Sequence, residues 1–166
     1  MMPNFIILAL AALVPLAIGF AWYNPKVFGH VWIKNSGKTE DELKAGNMLV
    51  IVGLTYLLGL FLALALFNMV VHQGGLYAMV QGNPDLNDPA SKLSETIKWM
   101  MDNYGHNFRT FKHGVLHGII GAVFVGLPLI GVTALFERRG ASYIFVHLGY
   151  WVLTMALMGG IICQFA

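Results

Sequence analysis

The sequence predicts an all-α fold: a four-helix transmembrane bundle with an amphipathic extramembrane helix in its second loop. Three observations predict it. Charged residues make up 11% of the chain against 57% hydrophobic ones, whereas a soluble domain carries about a quarter charged residues. Four segments, about 4–23, 48–72, 113–136 and 143–165, contain no Asp, Glu, Lys or Arg. Each reaches the roughly 20 residues that a helix needs to cross about 30 Å of hydrocarbon. Between the second and third segments, apolar residues recur at helical spacing opposite charged ones. At 166 residues, residues 1–166 are read as a single integral-membrane domain.

The first segment ends in Trp22-Tyr23-Asn24-Pro25, and only then comes the first charge, Lys26. Tryptophan and tyrosine rings favour the headgroup zone, and a proline disfavours helical geometry at the residue before it. Trp22, Tyr23, Pro25, Phe28 and Trp32 are therefore read as the interface anchor at the exit of the first span. Inside that span, Pro15 removes one backbone hydrogen bond and is expected to bend the helix. Met1-Met2-Pro3-Asn4 lacks the positive start of a secretory leader, so a retained span with an exported N-terminus is expected.

The second segment, 48–72, is interrupted only by Thr55, Tyr56 and Asn68 before it closes on His72. Ahead of it, Thr39-Glu40-Asp41-Glu42 forms a capping box, predicting a short helix that runs into the second span. In loop two, Gly74-Gly75 and Gly82-Asn83-Pro84 read as turns. Asp88-Pro89 then reads as an N-cap with proline at the first helical position, opening a helix over about 89–104. Leu93, Ile97, Met100, Met101 and Tyr104 form its apolar face, with Lys92, Glu95, Lys98 and Asp102 opposite; Gly105 ends it.

The third segment opens with Gly114, Gly118, Ala122 and Gly126 at four-residue spacing, a flat stripe on which another helix can pack closely. His113 and His117 stand one turn apart beside that stripe. His72 reaches the same membrane face from the second span, with His106, Asp102 and Asn68 as possible neighbours. Imidazoles at i and i+4 can share a metal, and opposed histidines can ligate haem. HxxxH without a zincin glutamate is a weak motif. The expectation is interfacial or packing histidines and no cofactor, with a metal, haem or quinone site at His72, His113 and His117 as the alternative. In the fourth segment, His147 lies among Tyr143 and Tyr150 and is expected to hydrogen-bond within the bundle.

Other chemistry finds little support. Cys163 is the only cysteine, which excludes an internal disulfide and a thiolate metal cage and reads as a buried, inert thiol. The net charge of +2 is too mild to argue for nucleic acid. No Asp, Glu, Lys or Arg lies within any span, which removes the usual equipment of an ion-coupled transporter. The ten Lys and Arg residues divide six to four in favour of loops one and three. By the positive-inside rule those loops are cytoplasmic, while both termini and loop two are exported.

The chain also resembles a bacterial family of small integral-membrane proteins, domain of unknown function seventeen-sixty-one. The resemblance rests on Trp22-Tyr23-Asn24-Pro25 with Phe28-Gly29 and Trp32, the basic third loop, and His147-Leu148-Gly149-Tyr150-Trp151 with Met158-Gly159. It covers all four spans, implies a bacterial inner-membrane location and carries no activity with it. The longer loop two sets this chain apart from shorter members, so the histidines are read from the residues alone. The function expected is a non-enzymatic accessory or structural subunit, packing in the lipid bilayer with other membrane-protein subunits of an envelope complex. The alternative is a histidine-based metal, haem or quinone-binding membrane protein.

Overall fold

A computed structural model describes residues 3–166; Met1 and Met2, the start of the stretch read for leader charge, lie outside the described residues. All regular structure among the described residues is helical. Four helices are long and apolar enough to cross a membrane: Phe5–Trp22, Met48–Val70, Phe111–Phe136 and Ala141–Phe165, spans one to four. Span four is the centre of the bundle. In its most apolar window 44% of residues are buried, against 17–22% in the other three. Leu66 and Val70 of span two pack with Met158 and Ile162 of span four in the core, all almost fully buried.

Span one is built of two pieces, Phe5–Ala11 and Val14–Trp22. Pro15 has no N–H for the Ala11 carbonyl, and the helix breaks at that point. Ala11 and Ala12 are fully buried at the break, and Gly59 of span two lets the helices meet there. A Cβ on Gly59 would come within 2.6 Å of the Ala12 carbonyl oxygen. The Tyr56 hydroxyl donates to the Ala9 carbonyl at 3.3 Å, and the Tyr150 hydroxyl donates to the Pro15 carbonyl at 2.9 Å. The expected bend is thus tied from two neighbouring spans.

Loop one holds more helix than its residues suggest. Pro25–Gly29 forms a π turn, closed by the Gly29 N–H donating to the Asn24 carbonyl, and it leads into a helix over His30–Ser36. Gly37 ends that helix at φ 70°, in the left-handed region glycine enters freely. The capping box forms as expected over Glu40–Lys44: the Glu42 N–H donates to Thr39 Oγ1, and the Thr39 N–H donates to Glu42 Oε2 at 2.7 Å. That helix does not run into span two. The chain breaks at 45–47, and Asn47 caps span two afresh by accepting from the Leu49 and Val50 N–H groups.

In loop two, span two stops at Val70, and a new helix runs over Gln73–Val80. The expected turn at Gly74-Gly75 is therefore a correction: both glycines are helical, and Leu76 to Val80 continue the helix. The turn at Gly82 forms, at φ 85°. The loop helix spans Lys92–Tyr104 with Ser91, not Asp88, as its cap. Asp88 instead accepts from the Ala90 N–H at 3.0 Å, making a tight turn that leaves the Ser91 hydroxyl to receive the Ser94 N–H. Ile97, on the expected apolar face, is buried.

Spans three and four form the closest pair. Gly114, Gly118 and Ala122 are buried against span four. A Cβ on Gly118 would overlap the Met155 carbonyl oxygen, and one on Gly114 would overlap that of Gly159. Gly126, expected on the same stripe, has open space around its Cβ position. A π turn over Ala122–Gly126 adds a residue to the turn ahead of Pro128 and rotates the stripe away.

Candidate metal centre

His72 follows directly on Val70 and Val71, each 1% exposed in the core. Val71 leaves helical geometry at φ −106° and ψ 87°, so the chain turns out of the bundle with its next side chain beside span three. His113 and His117 come from span three, whose rotation is fixed by the glycine contacts with span four. Thr110 caps that helix by accepting from the His113 N–H at 3.3 Å.

The three rings converge. One nitrogen from each of His72, His113 and His117 lies within 4.8 Å of the others. Ring centroids are 5.0 Å apart for His72–His113, 4.9 Å for His72–His117 and 4.4 Å for His113–His117. Nε2 of His72 and Nε2 of His113 are 2.8 Å apart, so one ring donates and the other accepts a single proton. His72 is exposed and the other two are half-buried. His106 and Asp102 are not among the residues brought to ligand distance. The Asn68 amide turns back on the Leu64 carbonyl of its own helix.

Loop two closes over this group. Gln73 Nε2 donates to the Asn107 carbonyl at 2.9 Å, and the Cys163 thiol donates to the carbonyls of Phe108 and Val70. Phe108, at φ 63°, stacks 5.2 Å from the His113 ring. A positive φ at a bulky residue is a strained state that its surroundings must impose. A cavity of about 250 Å³ adjoins the group, lined by His72 with Leu76, Met100, Met101, Tyr104 and Phe108 among others. The sequence offered no signal for this cavity, because it depends on how the loop helix folds back over His72.

The aromatic residues at the exit of span one are brought against span four. Trp22 Nε1 donates to the Val146 carbonyl at 3.1 Å, and its ring fills the space beside Gly149. The Tyr23 hydroxyl meets His147 Nδ1 at 2.9 Å. Phe28 packs on Trp22 and Trp32 on Tyr23, with centroids 4.4 and 5.2 Å apart. Pro25 is exposed and opens the π turn. The His147 ring also stacks on Tyr143 at 4.3 Å. This cluster joins spans one and four at the face opposite the histidine triad.

A family described as a protein of unknown function (DUF1761) matches residues 6–163. The chain belongs to that family. The match takes in all four spans, the triad and the aromatic cluster. No match was found among curated proteins or among solved structures.

Proposed function

We propose that this protein is a metal-binding membrane protein whose ion is held by His72, His113 and His117 at the loop-two face of the bundle. The observation that carries the reading is the convergence of three imidazole nitrogens within 4.8 Å. Tetrahedral ligation at about 2.0–2.1 Å spaces ligand nitrogens about 3.3–3.4 Å apart. The 2.8 Å His72–His113 contact opens slightly and the third ring closes in, movements within reach of side-chain rotation. An ion there replaces the shared proton, and three ligands leave a fourth position open. In cobalt(II) titration of the purified full chain, visible bands of tetrahedral intensity are expected to saturate at one ion per chain. They are expected to vanish in His113→Gln/His117→Gln; unchanged bands in that variant would overturn the reading.

Location belongs to the same proposal. The six-to-four division of basic residues supports a bacterial inner membrane topology with loop two, both termini and the triad on the exported side. A second reading, an accessory subunit of an envelope complex, is favoured by Trp99, which is 57% exposed on the loop helix. The glycine stripe lends that reading less than the sequence promised, since Gly114, Gly118 and Ala122 are occupied by span four of the same chain.

A further inference from the structure

The donor set of the triad has a feature that bears on which ion it takes. Among the described residues, no carboxylate and no thiolate joins the three histidines. Cys163 lies apart, its thiol engaged by two backbone carbonyls. The cavity beside His72 is lined chiefly by apolar side chains, Leu76, Tyr104 and Phe108 among them.

Two methionines belong to the same wall. Met100 and Met101 of the loop helix line the cavity that His72 lines. The Met101 methyl group turns toward Gly105, where a Cβ would stand 3.1 Å from it, and Gly105 borders the cavity too. Methionine is unbranched, with three rotatable bonds and a polarisable thioether. Thioether and imidazole ligands together select soft copper(I), whereas carboxylate and water suit the harder ions.

Resting on the metal reading of the triad, we propose that the resident ion is copper(I) and that the Met100–Met101 pair completes its coordination with a thioether sulfur. His72, at the junction between the two donor groups, then links the span-three histidines to the loop helix. Ion binding would draw the loop helix down over the end of spans two and three.

The test is anaerobic competition of the purified full chain against a chromophoric copper(I) chelator, in parallel with a zinc(II) titration. Met100→Leu/Met101→Leu keeps the volume and apolar character of both side chains. Loss of even an outer partner of a metal ligand costs about 10–100-fold in affinity, and loss of a ligand is expected to cost no less. The double variant is expected to lose copper(I) affinity by that factor while holding zinc(II) as the unaltered chain does. A sulfur shell in the copper X-ray absorption spectrum is expected to disappear with it. Unchanged copper(I) affinity, or a spectrum with nitrogen alone, would overturn the copper–thioether proposal and leave the histidine site standing. Metal binding that survives His72→Gln/His113→Gln/His117→Gln would overturn the histidine site itself.

Discussion

At the scale of single residues, the shared proton between His72 and His113 couples the site to pH. Metal and proton compete for the same nitrogens. Affinity is expected to fall as the solution is acidified, and a zinc(II) titration at several pH values measures this. A separate acid-sensitive point lies in loop one. Glu42 sits below the ordinary carboxylate value of 4.5 because the Thr39 N–H and hydroxyl both donate to it. A depressed carboxylate contributes stability above its unfolded value and loses it as pH falls through the folded one. The turn at Glu40–Lys44 is therefore expected to open as pH falls below about 4.5, and Glu42→Ala to open it at neutral pH. Exchange of the Glu42 amide hydrogen reports both; equal protection at pH 7 and pH 3 would contradict the assignment. The capping box was legible in four adjacent residues, because every partner is local. The meeting of His113 with His117 was legible too, from helical spacing alone. The arrival of His72 was not, since it depends on the rotation of span two, which Gly59 against Ala12 and the burial of Val70 and Val71 set from across the bundle.

At the scale of elements, spans three and four are held by backbone approach rather than by side chains. Between apolar helices in lipid, close van der Waals contact is a main source of attraction. Gly118→Leu drives a side chain into the Met155 carbonyl and is expected to lower stability by more than the roughly 1–3 kcal/mol typical of overpacking. Gly126→Leu, with open space at its Cβ position, is expected to leave stability unchanged. Thermal unfolding in detergent compares the two, and equal effects would mean the stripe does not diverge at the π turn. Tyr23→Phe removes the hydroxyl from His147 Nδ1, and losing this partly buried hydrogen bond is expected to cost about 0.5–1.5 kcal/mol. The lengths of the spans and the bend at Pro15 were readable as apolar runs and a missing N–H. The helices at 30–36 and 73–80 were obscured by prolines and glycines that usually mark turns. Local turn chemistry at Asp88 displaced the loop-helix cap to Ser91, a competition between adjacent caps that spacing alone does not decide.

At the scale of the whole molecule, the bundle places chemistry at its two ends. One end carries an aromatic cluster around Tyr23 and His147, and the other carries three histidines under loop two. Because His72 belongs to span two and its partners to span three, a bound ion ties the two spans together. An ion at 100 times its dissociation constant stabilises the folded chain by about 2.7 kcal/mol, seen as a rise in Tm absent from the triple histidine variant. Orientation is tested by single cysteines at Lys34, Arg138 and Asp88 in a Cys163→Ser background. With an impermeant thiol reagent, only the cysteine at position 88 is expected to label from outside; labelling at 138 instead would reverse the topology.

The central claim, that the triad is a metal site, is tested most directly by equilibrium dialysis of the full chain against zinc(II), followed by metal analysis of the protein. One ion per chain is expected in the unaltered protein and none in His72→Gln/His113→Gln/His117→Gln, with both proteins folded. The same metal content in the two, or no metal in either, would contradict it.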